Sequence, residues 1–188
     1  RNGNEDSHYD PQVFTRLPLL EDLSLILTPG SSVMIPSHVK TLDLDFYDAD
    51  ITFDKQQIYA LGSLILSGSP EDALDSFLHH QGSFPHLTIL KLSNLFDVSM
   101  IVRIPFSMPS LTELYLESCE DGIDDEGTIF NMISSIPHLN TLSLLGAVNQ
   151  YSMSVDFINW AKGMQNLKHL SLSGAVFPED MTDFEIFE

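Results

Sequence analysis

Leu111-Thr112-Glu113-Leu114-Tyr115-Leu116-Glu117-Ser118-Cys119 reads L-x-x-L-x-L-x-x-C, and the same short phrase returns along the chain. Its three apolar positions recur at Leu20/Leu23/Leu25, Val39/Leu42/Leu44, Leu61/Leu64/Leu66 and Leu87/Leu90/Leu92, and again at Leu139/Leu142/Leu144 and Leu167/Leu170/Leu172. The last two apolar residues stand two apart, so they share one side of a short strand. Burying each of them is worth roughly 1.5–3 kcal/mol. A single phrase cannot bury its own face, so its leucines must stack on those of the next phrase. The pattern predicts an α/β solenoid with a concave parallel β-sheet and outer helices or turns.

Successive first positions, from Leu20 to Leu167, lie 19, 22, 26, 24, 28 and 28 residues apart. The short early intervals leave room only for turns or 3₁₀ pieces outside the sheet, and the later ones have room for full helices. Ser69-Pro70-Glu71-Asp72 is a helix-start signal, followed by an apolar helical face of Ala73, Leu74, Phe77 and Leu78. A second helix is expected from Asp124-Asp125-Glu126, with Ile129, Phe130, Met132 and Ile133 inward. A third is expected from Ser154, with Val155, Phe157, Ile158 and Trp160-Ala161 on its face and Gly163 at its end. Leu95–Ile104 reads as short helix or turn. Proline precedes three strand phrases, at Phe84-Pro85-His86-Leu87, Met108-Pro109-Ser110-Leu111 and Ile136-Pro137-His138-Leu139. It ends the preceding helix there. These signals divide the chain into residues 1–16, a loop or the tail of a preceding repeat; 17–175, about seven repeats; and 176–188, a cap or a truncated repeat.

The 188 residues carry 8 basic and 27 acidic side chains, a formal charge of −19. A field of that sign repels nucleic acid and anionic membrane, so neither is expected as a partner. No apolar run approaches the ~20 residues that span a bilayer. One cysteine and no Asn-x-Ser/Thr sequon suit an intracellular protein, cytoplasmic or nuclear.

Across about residues 17–175 the pattern resembles the leucine-rich-repeat superfamily. Leu111–Cys119, then Ile123-Asp124-Asp125-Glu126-Gly127, then the run to Pro137-His138-Leu139, is similar to the cysteine-containing subtype frequent in F-box leucine-rich-repeat proteins. The phrases FPHLTILKLS (84–93), MPSLTELYLES (108–118) and IPHLNTLSLLG (136–146) resemble irregular F-box-linked repeats of fungi and plants. The resemblance implies the substrate-recognition part of an F-box-like ubiquitin-ligase adaptor, with the ligase scaffold engaged through a segment upstream. The chain departs from the subtype in two ways: only one repeat carries Cys, the equivalent slots holding Leu95, Ala147 and Ala175, and these residues include no F-box. The alternative is a non-enzymatic receptor, sensor or scaffold array with no ubiquitin link.

Candidate chemistry is sparse. Cys119 falls where the phrase wants a small buried hydrophobe. His86 and His138 hold the same slot two repeats apart, roughly 10 Å at ~4.8 Å per strand, too far to share an ion. His79 and His80 point to different sides of a helix. Asp43, Asp45, Asp48, Asp50 and Asp54 invite a calcium loop, but its sixth and twelfth positions require Gly and Glu, where Asp48 and Asp54 stand. No GxSxG, HExxH, P-loop or Cys-x-x-Cys occurs. The expectation is a binding protein, not an enzyme, with no cofactor and no metal.

Residues flanking the inward leucines should face the concave side. The partner-binding set expected there is Asp43, Asp45, Ile65, Ile89, Lys91, Glu113, Tyr115, Glu117, Leu145 and His169. Tyr115 is the aromatic anchor. Acids cluster around Asp43/Asp45 and Glu113/Glu117 with Lys91 between them, which fits a basic protein partner. Ser143 is expected to face out, with its change to Ala nearly neutral.

Overall fold

A computed structural model describes residues 12–46, 50–52, 59–68, 74–75, 77–78, 84–94, 103–118, 131–145, 160 and 162–173. The frame leucines become the inward side of one parallel sheet. Its strands are β1 (Asp22–Leu27), β3 (Thr41–Phe46), β5 (Ser63–Gly68), β6 (Ile89–Ser93), β7 (Glu113–Glu117), β8 (Thr141–Leu145) and β9 (His169–Ser173). They lie side by side in chain order, β1-β3-β5-β6-β7-β8-β9. The register aligns like with like. Leu23, Leu42, Leu64, Leu90, Leu114, Leu142 and Leu170 form one row across the sheet; Leu25, Leu44, Leu66, Leu92, Leu116, Leu144 and Leu172 form the next. From Leu42 to Leu144 these leucines are fully buried, while Leu25, Leu170 and Leu172 at the two ends are only partly so.

A turn delivers the chain to β1, β3, β6, β7, β8 and β9. The N–H of Leu20, Val39, Leu87, Leu111, Leu139 and Leu167 donates to the carbonyl three residues back. At Pro18, Pro85, Pro109 and Pro137 proline fills the second turn position, where its fixed φ suits the geometry. One residue further on, a backbone carbonyl of each repeat accepts two N–H groups from the next. Glu21 accepts from Lys40 and Thr41, Gly62 from Thr88 and Ile89, Thr112 from Asn140 and Thr141, and Lys40, Thr88 and Asn140 do the same. The strands end on a third recurring device. Gly68, Asn94 and Ser118 occupy one equivalent slot and all take positive φ, 85°, 61° and 53°. Gly146 and Gly174 hold this slot in the sequence but lie outside the described residues.

The outer layer changes with repeat length. β2 (Ser32–Met34) and β4 (Asp50–Thr52) pair in parallel as a second, two-stranded sheet outside the first repeats. This corrects the expectation of turns or 3₁₀ pieces there. Extended chain advances about 3.3 Å per residue and helix 1.5 Å, so a repeat of 19–22 residues covers the core with strand. Val33 and Ile51 are its buried side. Longer repeats use helix: residues 74–75, 77–78 and 131–134 are helical, with Leu74, Phe77, Leu78, Met132 and Ile133 buried. Ile104–Ser107 is a single helical turn. Where strand gives way to helix, Tyr59 and Phe77 both pack on Phe84 at 5.3 Å between ring centres. Trp160 is half-buried against the core, and its Nε1 donates to Ser134 Oγ at 2.6 Å. The expected helix starts at Ser69–Asp72, Asp124–Glu126 and Ser154 lie outside the described residues, as do Cys119, His79, His80, Asp48, Asp54, residues 1–11 and residues 174–188. Among the described residues no helix is long and apolar enough to cross a membrane.

Leu142 is fully buried in the stack, so Leu142→Ala should cost about 2–5 kcal/mol through lost transfer and the cavity left behind. Leu172→Ala, at the partly buried end, should cost clearly less in the same denaturant titration. Asn94→Val should cost about 1–2 kcal/mol, because a β-branched residue resists the left-handed backbone that Asn tolerates; equal stability would show that the turn relaxes instead.

Candidate functional site

The sheet face opposite the leucines is also arranged in rows. Ser24, Asp43, Ile65, Lys91, Tyr115, Ser143 and Ser171 are partners across the seven strands. A flanking row carries Ile89, Glu113, Thr141 and His169, and another carries Ser93, Glu117 and Leu145. Side-chain size falls sharply along the central row, from Tyr115 to Ser143 and Ser171. The step opens a groove of about 570 Å³. Ile65, Ile89 and Leu145 give it apolar walls beside the Tyr115 ring, and Lys168, His169 and Ser171 lie at its far end.

Seven of the ten residues expected at a partner site line this groove: Ile65, Ile89, Lys91, Tyr115, Glu117, Leu145 and His169. Glu113 stands beside it, accepting a 2.8 Å hydrogen bond from the Tyr115 hydroxyl. Asp43 and Asp45 share the face but lie outside the groove, on β3. Leu114 and Leu116 are buried, while Glu113, Tyr115 and Glu117 between and beside them are half-exposed, as the period of two requires.

The structure adds to one expectation and corrects another. Lys91, on β6, does lie between the acids of β3 and those of β7, but it is also paired with one of the clusters: its Nζ lies 3.0 Å from Glu117 Oε1, and Ser93 Oγ donates to the other carboxylate oxygen at 3.4 Å. Glu113 is occupied by Tyr115. The acids around Tyr115 are therefore partnered, whereas Asp43 and Asp45 have no cation against them among the described residues. Ser143 is not an exposed strand residue. It is 4% exposed, lying at the bottom of the step below its larger neighbours. Its hydroxyl has no hydrogen-bond partner among the described residues and keeps some accessible surface towards the groove. Alternation along the strand placed Ser143 on the right face but carries no information about the height of its neighbours in other repeats.

Lys168 was not anticipated. It precedes β9, and its backbone N–H donates to the Asn140 carbonyl while its side chain is exposed at the groove's end. Aligning the repeats would have shown a cation beside His169, but the two-residue rule counts only strand positions. Among the described residues no three His, Cys, Asp or Glu side chains converge as a metal would require.

The Tyr115 phenol is pushed above its ordinary value. The hydrogen bond it donates to Glu113 is the main cause, followed by burial and by the charge of the carboxylate. No protein-family model matches this chain, and neither a curated protein nor a solved structure matches it significantly.

The folded value lies above the unfolded one of about 10, so the contact stabilises the fold below that pH. Its contribution disappears as pH rises through the folded value. In an ultraviolet titration, the difference between the protein and its Tyr115→Phe variant should show Tyr115 ionising above pH ~10, and Glu113→Gln should bring that ionisation down. A Tyr115 that titrates at the ordinary value in the unaltered protein would mean the bond is not formed in solution.

Proposed function

We propose that the chain is a leucine-rich-repeat solenoid whose strand face, concave in such an arrangement, binds a protein partner without catalysis. The module is the substrate-recognition part of an F-box-like ubiquitin-ligase adaptor. The repeat reading is supported by strands in chain order, like residues in register and a turn of one kind before six of the seven strands. The observation that carries the binding reading is the groove around Tyr115, where aliphatic side chains surround an aromatic ring on a face whose other residues are mostly small or polar. Tyrosine in such surroundings is enriched at binding hot spots. The ubiquitin link is supported by the resemblance of residues 84–146 to F-box-linked repeats.

The basic partner expected from the sequence keeps a basis in Asp43 and Asp45, not in Glu113 and Glu117. Asp43→Lys with Asp45→Lys should therefore slow association, and the effect should shrink as salt shortens the Debye length to ~8 Å at physiological strength. Tyr115→Ala should act on dissociation, raising its rate about tenfold or more. Asn131→Lys, on the exposed side of the helical layer, should change neither rate. These are read as binding kinetics against whatever protein co-purifies with the full-length gene product. Loss of binding in Asn131→Lys with none in Tyr115→Ala would place the interface on the helical side. Co-purification without any ubiquitin-ligase scaffold would remove the ubiquitin link and leave the face assignment standing.

A further inference from the structure

The groove crosses strands instead of following one. It runs from Ile65 on β5 to Lys168 and His169 at β9, four strand spacings or roughly 19 Å. Each strand at its centre is only five residues long. Charge is distributed unevenly along this path. Asp43 and Asp45 stand at one end, beyond Ile65, with no cation against them among the described residues. In the middle, Lys91 and Glu117 cancel each other and Glu113 is held by Tyr115. At the other end Lys168 is exposed and has no carboxylate partner among the described residues. Between the charged ends lie the apolar walls and, below them, Ser143, whose hydroxyl has no hydrogen-bond partner among the described residues and is still reached from the groove. A recessed hydroxyl facing a groove without a protein bond of its own is a place where a ligand acceptor gains one.

We infer that this groove binds an extended peptide segment of the partner laid across the strands, with a basic side chain over Asp43/Asp45, an apolar side chain against Tyr115 and Leu145, and an acidic side chain at Lys168. The inference rests on the protein-binding reading above and specifies its partner. From β3 to β9 is five spacings, roughly 24 Å, which an extended chain covers in about seven residues. Ser143 donates to a peptide carbonyl passing over the step. The acid belongs to a side chain and not to a chain terminus. Capture of a terminal carboxylate uses clustered backbone N–H groups, and those of the strands are committed to the sheet ladder. A small organic ligand would fill the middle of the groove and reach neither charged end.

A random twelve-residue peptide library is selected on the immobilised full chain, and the enriched peptides are titrated in solution. Enriched peptides should carry one base and one acid on either side of an apolar residue. Lys168→Glu, an exposed change that leaves the thermal melt in place, should redirect selection to peptides basic at both ends, and should weaken the original peptide about five- to tenfold. Ser143→Ala should weaken it roughly three- to tenfold through one lost hydrogen bond. Tyr115→Ala should weaken it about tenfold or more. Peptides that depend on Tyr115 but keep the same charges when selected on Lys168→Glu would overturn this inference and leave the face as a binding surface. Peptides indifferent to Tyr115, Ser143 and Lys168 alike would overturn both. No enrichment, with the whole partner still sensitive to Tyr115→Ala, would overturn the extended-peptide inference alone.

Discussion

The structure depends on one backbone interaction repeated at every junction: a carbonyl that accepts two N–H groups from the following repeat. A carbonyl oxygen has two lone pairs, so the double bond asks for no special residue. Glu21, Lys40, Gly62, Thr88, Thr112 and Asn140 have little else in common. Side chains reinforce it where they can: the hydroxyls of Thr88 and Thr112 donate to the same kind of carbonyl, at Gly62 and Thr88. The pair of bonds places two consecutive residues of each new repeat against one residue of the last. It thereby sets the register before the strand begins. A slip of one residue would turn every leucine outward and every polar residue in, so the leucine rows and this junction enforce the same alignment.

A register that holds through seven strands makes the opposite face a set of fixed rows, and its chemistry follows from what neighbours in a row happen to be. Tyr115 beside Ser143 makes a step and therefore a groove. Lys91, one strand away from Glu117 and two positions along, makes an ion pair. This pair is partly exposed and so worth little to stability, but it decides which charges on the face are left for a partner. The face is consequently acidic at one end, locally neutral at the aromatic centre and basic at the other end.

The covering layer obeys a looser rule. It must span the same core with the number of residues each repeat supplies. Val33 and Ile51 do so on extended chain, and Phe77, Leu78 and Ile133 on helix. The inner sheet is indifferent to which is used, since both present apolar side chains to the same leucines. The change from one to the other is filled by the largest side chains, Tyr59, Phe77 and Phe84.

Much was legible from residues alone because it depends on short-range periodicity. The seven phrases, the inward leucines, the prolines in the turns before the strands and the face carrying Tyr115 all follow from spacings of two and three. Seven of ten expected site residues meet at one groove because alternation along each strand needs no knowledge of the others. Tertiary structure alone decided what depends on comparing repeats. It buried Ser143 beneath taller neighbours, gave Glu117 to Lys91, brought Lys168 to the groove's end and made the early outer segments strands. A local pattern states which way a side chain points. The length of the side chain next to it, contributed by residues more than twenty positions away, determines whether it is reached by water, by a counter-charge or by a ligand.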